Sequence, residues 1–402
     1  MKNCYMRIAC GAMVLLLLLS AVACDAWESI EQQLLLPTGT SAPQEGAAPS
    51  EGESQTEAEQ QTEQDEQTTA SDTEQTTDAP EQTDKIVEAG EKGYTYSMLQ
   101  EDLGALAKTY PDLFSYMTIG KSVDGRGIFA CTVGNPEAKT KILLTGGIHG
   151  KEYMSSLLVM TQVEYYLANA ESGCYNGVSY ADLLQNCVFY VLPMINPDGI
   201  TLALEGIDAM QTPEVKATVE KIYADNLRDG LTSTNDINVY LAYNWKANAN
   251  GVDLNRNFAL SNWADVKTGI LAPCYRNYKG PSAASEPETR AVSAYVESLG
   301  ELDALLAYHT AGQVVYWDCG MTGGVRQRTL DLAKAVCEHT GYKLIYDQHL
   351  DASLNDWVTL EKDVPSVTIE IANVIYPMPA SELEAAFAQT RELWVVASQL
   401  FG

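Results

Sequence analysis

Two histidines and two glutamates, all on or beside apolar strand-like runs, are the side chains best suited to chemistry in this chain. His149 and Glu152 form an HxxE pair, His309 ends the run LDALLAYH, and Glu370 lies within VTIEIA. Two imidazoles and one carboxylate can hold a zinc ion and leave its fourth position open for water, while a further carboxylate acts as a base. A structural zinc site would instead close four ligands around the ion, usually with cysteine pairs, and the sequence contains no CxxC. The pattern predicts a catalytic site with one zinc ion per chain.

Six motifs around these residues give the sequence a family resemblance. The run NWKANANGVDLNRNF, residues 244–258, resembles the substrate-binding segment of the zinc carboxypeptidase (carboxypeptidase A-like) family. The others match in the family's order: NPDG at 196–199, YKGPSAASEPET at 278–289, YHTAGQVVYW at 308–317, NDW at 355–357 and TIEIA at 368–372. The resemblance extends over about residues 92–400. Because a lone HxxE often arises by chance, these motifs support the assignment of the zinc ligands.

The resemblance implies roles for the residues around the metal. Asp253 matches a carboxylate that hydrogen-bonds to the first zinc histidine and fixes its tautomer. Glu370 matches the base that takes a proton from the attacking water and passes it to the leaving amine. A glutamate in an apolar run is also costly to bury unless something pairs with it or uses it. That cost favours a functional role for Glu370.

Recognition of the substrate end is implied by three further matches. Asn255 and Arg256 match the family's clamp for a terminal carboxylate, which a guanidinium can bind with two parallel hydrogen bonds. Arg256 therefore favours a carboxypeptidase over an endopeptidase, and the expected substrate is a peptide with a free C-terminal carboxylate. Asn355 falls at the base of the family's pocket for the C-terminal side chain. It predicts a polar, uncharged floor.

Two departures from the family pattern leave roles open. Lys246 stands where many members have an arginine that stabilises the oxyanion, so the charge is kept but the planar fork is lost. At the position of the family's substrate-capping tyrosine the chain has Gln348, with Tyr346 and His349 close by. The equivalent of that tyrosine could be any of these three.

Alternating sequence periodicities predict an α/β fold. Apolar strand-like runs occur at GIFACTVG, KILLTGG, CVFYVLPMIN, LDALLAYH, QVVYW and SVTIEIA. Helix-like stretches separate them at 95–109, 151–169, 285–299, 326–340 and 381–399. Continuous apolar strands joined by amphipathic helices indicate a mostly parallel sheet with helices on both faces. The family fold implies eight strands in a mixed, twisted sheet, with the ligand beyond the carboxyl ends of the parallel strands.

The N-terminal region predicts export. Residues 1–23 contain Lys2 and Arg7 followed by the short apolar run MVLLLLLSAVA, which is typical of a signal peptide. The tetrad AVAC ends at Cys24 and resembles a bacterial lipoprotein box, although cleavage near Ala23 or Ala26 by ordinary signal peptidase is the alternative. We expect the chain to be anchored by a lipid on Cys24 to the outer face of the bacterial cytoplasmic membrane, with no other membrane contact.

An acidic segment separates this signal from the rest of the chain. From Asp25 to Asp84 there are sixteen Asp and Glu residues and no Lys or Arg. Such a composition cannot bury enough apolar surface to offset the entropy of ordering, so residues 25–86 are predicted to be a disordered linker before a catalytic domain at 87–402. The chain has a net charge of −29 and no basic stripe, which argues against nucleic acid as a partner. We expect a monomer.

The remaining cysteines and histidines predict little chemistry. Six cysteines follow Cys24, and the apolar setting of Cys131 and Cys187 favours buried thiols, so at most one or two disulfides and no cysteine catalysis are expected. His339 stands late in a helical stretch and is expected to cap that helix or lie on the surface.

These observations predict a secreted, lipid-anchored zinc metallocarboxypeptidase that removes C-terminal residues from peptides. The form WKANxxGVDLNRNF is similar to a bacterial branch that includes peptidases of γ-D-glutamyl-diaminopimelate bonds, so cell-wall peptides are a candidate substrate beside general peptides. A peptide-binding lipoprotein with weak or no catalysis and a D-glutamyl-diaminopimelate endopeptidase are the alternatives. The complete set of zinc ligands and base argues against a pure binding protein.

Overall fold

A twisted sheet of eight strands organises the part of the chain that our computed structural model describes, residues 85–346, 348–373 and 376–402. The predicted signal peptide, Cys24 and nearly all of the acidic linker lie outside the described residues and stay predictions. The sheet strands are β1 (Phe114–Lys121), β2 (Gly127–Gly134), β3 (Thr140–Thr145), β6 (Cys187–Leu192), β7 (Ala304–Thr310), β8 (Val314–Tyr316), β9 (Lys343–Leu344) and β10 (Ser366–Ile371). A separate hairpin joins β4 (Cys174–Tyr175) to β5 (Val178–Ser179).

The strand order is β1–β2–β6–β3–β7–β10–β8–β9. The four central strands, β6, β3, β7 and β10, run parallel to one another. The pairs β1–β2, β2–β6 and β10–β8 are antiparallel, whereas β8 and β9 are parallel. The predicted mixed, mostly parallel eight-stranded sheet is confirmed.

Helices cover both faces of the sheet. They are α1 (Tyr96–Thr109), α2 (Tyr153–Ala168), α3 (Tyr180–Asn186), α4 (Pro197–Glu205), α5 (Pro213–Arg228), α6 (Ile237–Asn244), α7 (Pro287–Ser298), α8 (Gly323–Thr340), α9 (Leu354–Lys362), α10 (Glu382–Thr390) and α11 (Leu393–Phe401). Successive residues of a strand point to opposite faces, and in β3 Leu144 packs in one core cluster while Leu143 packs in another. The first cluster contains residues of α1, α2, α8 and α11, and the second contains residues of α7 and α9. The central strands are apolar throughout because both of their faces are buried.

The differences from the sequence prediction fall where the apolar signal is weak. Strand β1 was not predicted from the sequence. Its residues are mostly exposed because it lies at the edge of the sheet. The helix predicted at 381–399 is two helices, α10 and α11. The helices Pro213–Arg228 and Ile237–Asn244 belong to a long excursion between β6 and β7 that the periodicity did not reveal.

Two negative findings concern the described residues alone. No helix among them is long and apolar enough to cross a membrane. All six cysteines among them are free thiols, including the buried Cys131 and Cys187 in strands, which agrees with the upper limit set for disulfides. Burial raises the pKa of the Cys187 thiol to about 11.

The parallel strands β3, β7 and β10 position the chemistry. Their carboxyl ends meet at one edge of the sheet because the strands are neighbours with the same direction. His149 lies four residues beyond the last residue of β3, and His309 is the residue before the last one of β7. Glu370 pairs directly across from His309 on β10.

Candidate metal centre and active site

The three predicted metal ligands meet at this sheet edge. His149 Nδ1 lies 2.9 Å from Glu152 Oε1, and His309 Nδ1 lies 3.0 Å from Glu152 Oε2. The ligand atoms of the three side chains are all within 4.8 Å of one another, and the three residues are buried. Two imidazole nitrogens and a carboxylate converging from separate elements form a donor set that suits zinc.

Close backbone packing holds the segment GGIHGKE against its neighbours. Gly147 has a positive φ of 60°, and a Cβ at that position would lie 2.2 Å from the Ser156 hydroxyl oxygen. A Cβ at Gly150 would lie 2.5 Å from the carbonyl oxygen of Gly199, which belongs to the NPDG motif. The loop can therefore pass from β3 to Glu152, the N-cap of α2, only with glycine at these two positions.

Asp253 supports the first histidine from behind. Its Oδ1 lies 3.2 Å from His149 Nε2, and its two oxygens also accept the backbone N–H groups of Asn255 at 3.1 Å and Asn277 at 3.0 Å. Burial disfavours the charged form, but the proximity of His149 and Arg256 holds the pKa of Asp253 below its usual range. An ionised Asp253 accepts a hydrogen bond from Nε2–H and leaves Nδ1 as the ligand atom.

Lys246 brings a positive charge to the same centre. Its Nζ lies 3.0 Å from Glu152 Oε1 and lines the adjoining cavity. Burial opposes ionisation of Glu152, yet His149 and Lys246 together hold the pKa of this carboxyl well below its usual range. The predicted replacement for the family's arginine is thus beside the metal ligands.

Glu370 is half-buried and lines the cavity next to the two histidines. Burial and the negative charge of Glu152 raise the pKa of Glu370 to about 8. A cation bound by the ligands would favour the ionised form, because opposite charge stabilises a carboxylate. The pKa of Glu370 therefore depends on whether a cation is bound by the metal ligands.

A polar cavity of about 380 Å³ opens from the metal ligands. Asn255 and Arg256, the residues expected to form a carboxylate clamp, line it. Arg256 donates through Nη1 to the carbonyl oxygen of Asn255 at 2.9 Å, and its Nη2 lies 3.3 Å from Asp351 Oδ2. The Asn255 side-chain oxygen accepts the Leu354 N–H at 3.2 Å. The Arg256 side chain is 19% exposed, and the Asp351 carboxylate that it faces is more exposed.

The cavity wall carries three acids, of which only Asp356 belongs to one of the motifs, NDW. Asp318, Asp351 and Asp356 all line it. Asp356 is engaged by the backbone N–H groups of Asp351 and Ser353 at 2.8 and 3.1 Å, whereas Asp351 is 41% exposed. Asp318 and Asp351 lie in loops, where acids give no periodic signal, so only the fold shows that they share this cavity with Asp356.

Asn355 lies in the same cavity and is only 8% exposed. Neither its side-chain nitrogen nor its side-chain oxygen has a hydrogen-bond partner. A buried amide without partners costs free energy, and such groups are rare in folded proteins. The amide is therefore available to a bound polar group.

The three candidates for the equivalent of the capping tyrosine have different environments. Tyr346 is 69% exposed, and Gln348 donates to Asp318 Oδ1 at 3.3 Å. His349 lines the cavity, with its ring 5.8 Å from that of Tyr316, and Tyr316 lines the cavity too. His339 is remote from these residues, in the last turn of α8, where its Nδ1 lies 3.1 Å from the Tyr175 hydroxyl.

Comparison with known proteins identifies the family of this site. A sequence model described as zinc carboxypeptidase matches residues 99–393. The chain belongs to the zinc carboxypeptidase family. This membership agrees with the buried group of His149, Glu152 and His309 and confirms the predicted zinc cofactor. When bound, zinc polarises a carbonyl group and lowers the pKa of water.

Two bacterial proteins and one solved structure are similar to this member of the zinc carboxypeptidase family. Gamma-D-glutamyl-L-diamino acid endopeptidase 1 of Lysinibacillus sphaericus is 27% identical over 77% of this chain and 74% of that protein. The uncharacterized protein YqgT of Bacillus subtilis is 29% identical over 75% of this chain and 76% of its own length. The solved structure of thrombin activatable fibrinolysis inhibitor superposes with a TM-score of 0.60 at 18% identity, over 77% of this chain and 75% of that one. The last likeness concerns the fold alone.

Proposed function

We propose that this metallopeptidase releases a C-terminal diamino acid from peptides of the bacterial cell wall. The observation that carries the proposal is the cavity beside the metal ligands. It combines a clamp for a carboxylate at Asn255 and Arg256 with an acidic wall and the unpartnered amide of Asn355.

The catalytic groups flank the point where the scissile carbonyl would lie. Glu370 lines the cavity beside His309, its partner on the neighbouring strand, and takes the proton of the attacking water, which it then passes to the leaving amine. Lys246 directs its ammonium group to the metal ligands and stabilises the negative charge that develops on the carbonyl oxygen. Asp253 holds the imidazole of His149 in one tautomer and orientation.

The chemistry of the cavity supports a leaving residue with a polar, cationic side chain. An apolar side chain would leave the buried Asn355 amide without partners, which is unfavourable because buried polar groups need hydrogen bonds, and it would lie beside the carboxylate of Asp351. An amino group at the end of the side chain would instead meet acceptors. The name of the Lysinibacillus sphaericus relative, an endopeptidase of gamma-D-glutamyl-L-diamino acid bonds, supports the same substrate class.

The predicted N-terminal signal supports a location outside the cell for this activity. A signal peptide at residues 1–23, a lipid on Cys24 and an acidic linker at 25–86 would hold the catalytic domain near the wall. Export to that location is the step that makes wall peptides accessible.

The experiment compares peptides that differ only at the leaving residue. Purified full-length protein loaded with zinc should release a diamino acid from L-alanyl-γ-D-glutamyl-diamino acid faster than it releases leucine from the matched peptide. Asn355→Leu should reverse this preference, because an apolar floor of similar size replaces the amide. If wild-type protein releases leucine faster and leaves the γ-linked peptide intact, the proposed substrate is wrong.

One observation favours an endopeptidase as the second candidate. Arg256 already faces the carboxylate of Asp351 at 3.3 Å, so a free substrate carboxylate is not needed to neutralise it. Amidation of the substrate's C-terminus separates the two functions. In a carboxypeptidase, amidation and Arg256→Ala should each reduce kcat/KM by about 30-fold or more, and together little more than either alone, because the two groups contact each other. Equal cleavage of amide and free acid would favour the endopeptidase.

A further inference from the structure

Lys151 stands between His149 and Glu152 in sequence but does not line the cavity that Lys246 and Arg256 share. Its backbone N–H donates to the carbonyl oxygen of Trp245 at 2.7 Å, which fixes it beside the WKAN run. Its side chain is half-buried and lies outside that cavity. The metal centre therefore has a second cationic side.

Aromatic residues hold this ammonium group close to the metal ligands. Lys151 Nζ lies 4.0 Å from the centre of the Tyr376 ring and donates to the carbonyl oxygen of Tyr243 at 3.3 Å. The Tyr376 hydroxyl hydrogen-bonds to Thr310, whose backbone N–H donates to Glu152 Oε2 at 3.3 Å. One ring and one threonine thus connect Lys151 to the metal ligands.

Unlike the neighbouring cations Lys246 and Arg256, the ammonium group of Lys151 has no carboxylate partner among the described residues. Lys246 faces Glu152 at 3.0 Å and Arg256 faces Asp351 at 3.3 Å. Within residues 85–346, 348–373 and 376–402, no carboxylate forms an ion pair with Lys151. A half-buried cation without a carboxylate attracts an anionic ligand, since pairing offsets its lost hydration.

The direction of the bound peptide decides which part of a substrate meets Lys151. The leaving residue occupies the cavity, with its carboxylate at Arg256, so the acyl part must extend from the metal ligands in another direction. Lys151, Tyr376 and the exposed Tyr243 form a surface beside the metal ligands and outside the cavity. The acyl residue can pass over this surface.

We propose that Lys151 binds the free α-carboxylate of a γ-linked glutamate on the acyl side of the scissile bond. This inference rests on the proposed function. In a γ-linked glutamate the scissile carbonyl is that of the side chain, and the α-carboxylate stands beyond a spacer of two methylene groups and the α-carbon. The residue therefore carries an anion a few ångströms from the reacting carbonyl, whereas an α-linked residue does so only when its side chain is acidic.

The test uses two tripeptides that differ in one group, L-alanyl-γ-D-glutamyl-diamino acid and its analogue with the glutamate α-carboxylate converted to a carboxamide. Zinc-loaded full-length wild-type protein should hydrolyse the acid with a kcat/KM about 10- to 100-fold above that of the carboxamide, the range of a hydrogen bond to a charged group. Lys151→Met should reduce kcat/KM for the acid to that of the carboxamide and leave the carboxamide unchanged. Lys151→Arg should keep the preference, and Lys334→Met, on the exposed face of α8, is the matched control. Calorimetric binding of both peptides to the Glu370→Gln protein gives a readout without turnover.

Several outcomes would overturn the inference. Equal kcat/KM values for acid and carboxamide in wild-type protein would show that the carboxylate is not bound. An equal loss on both peptides in Lys151→Met would show that the lysine serves the metal centre or the loop. If neither γ-linked peptide is cleaved while α-linked peptides are, the proposed function fails. In that case kcat/KM is measured for α-linked substrates with Glu or Gln before the scissile bond. A preference for Glu that Lys151→Met removes would still support Lys151 as an anion-binding residue.

Discussion

Replacing Asp351 with asparagine should change kcat/KM in opposite directions for two classes of leaving residue. In the cavity, Asp351 Oδ2 faces Arg256 Nη2 at 3.3 Å, and 41% of the Asp351 side chain is exposed. Asparagine keeps the shape of the side chain and removes its charge. The substitution therefore frees the guanidinium and also removes one acceptor for a cationic substrate group.

The expected magnitudes follow from the exposure of this pair. For a peptide that ends in leucine, Arg256 no longer has to leave Asp351, and an ion pair as exposed as this one contributes only about 0.2–1 kcal/mol. The kcat/KM for leucine release should rise by at most about fivefold. For a peptide that ends in a diamino acid, the lost contact to a charged group is worth about 1.5 kcal/mol at the lower end of its range. The kcat/KM for diamino acid release should fall by about tenfold.

The assay measures release of the C-terminal residue from both peptides by wild-type protein and the Asp351→Asn variant. Asp112→Asn, a charge change at an exposed position, controls for the altered net charge. A change of the same sign for both peptides would refute the reasoning, because it would mean that Asp351 positions the loop rather than choosing between substrates. No change for either would show that Asp351 contacts neither Arg256 nor the leaving residue in solution.

Three further predictions concern the metal, the base and pH. Purified full-length protein should contain about one zinc per chain by elemental analysis, and His309→Ala should lose it; full activity in metal-free protein would contradict this assignment. Glu370→Gln should reduce kcat by about 10² to 10⁴-fold with zinc still bound, whereas loss of zinc in the variant would make Glu370 a ligand. Burial and the charge of Asp198 raise the pKa of Glu288 from 4.5 to about 8, so the folded state binds this proton more tightly than the unfolded state. The contribution of Glu288 to the free energy of unfolding should be complete below about pH 4.5 and be lost as the pH rises through about 8. In denaturant titrations, the free energy of unfolding of Glu288→Gln should therefore depend less on pH than that of wild-type protein. An unchanged pH dependence in the variant would rule Glu288 out as the cause.

Much of the metal centre was predictable because its signals are local in sequence. The HxxE spacing puts His149 and Glu152 on one loop and helix start, and the apolar runs before His309 and around Glu370 mark buried central strands. Parallel strands bring their carboxyl ends together whatever the loops between them do. The family resemblance then supplied Asp253, which the fold places 3.2 Å from His149 Nε2.

Several acids and cations around the centre were revealed only by tertiary structure. Asp318 and Asp351 belong to irregular loops, where no periodicity shows which way a side chain points, and they reach one cavity through contacts between distant segments. The same holds for Lys151, whose environment comes from Tyr243 and Tyr376, 92 and about 225 residues further along the chain. Motif and period determine which residues approach the metal, because strand direction and spacing are local properties. Which charges pair and which stay available depends on how loops pack against one another, and that is set by long-range contacts that no short segment contains.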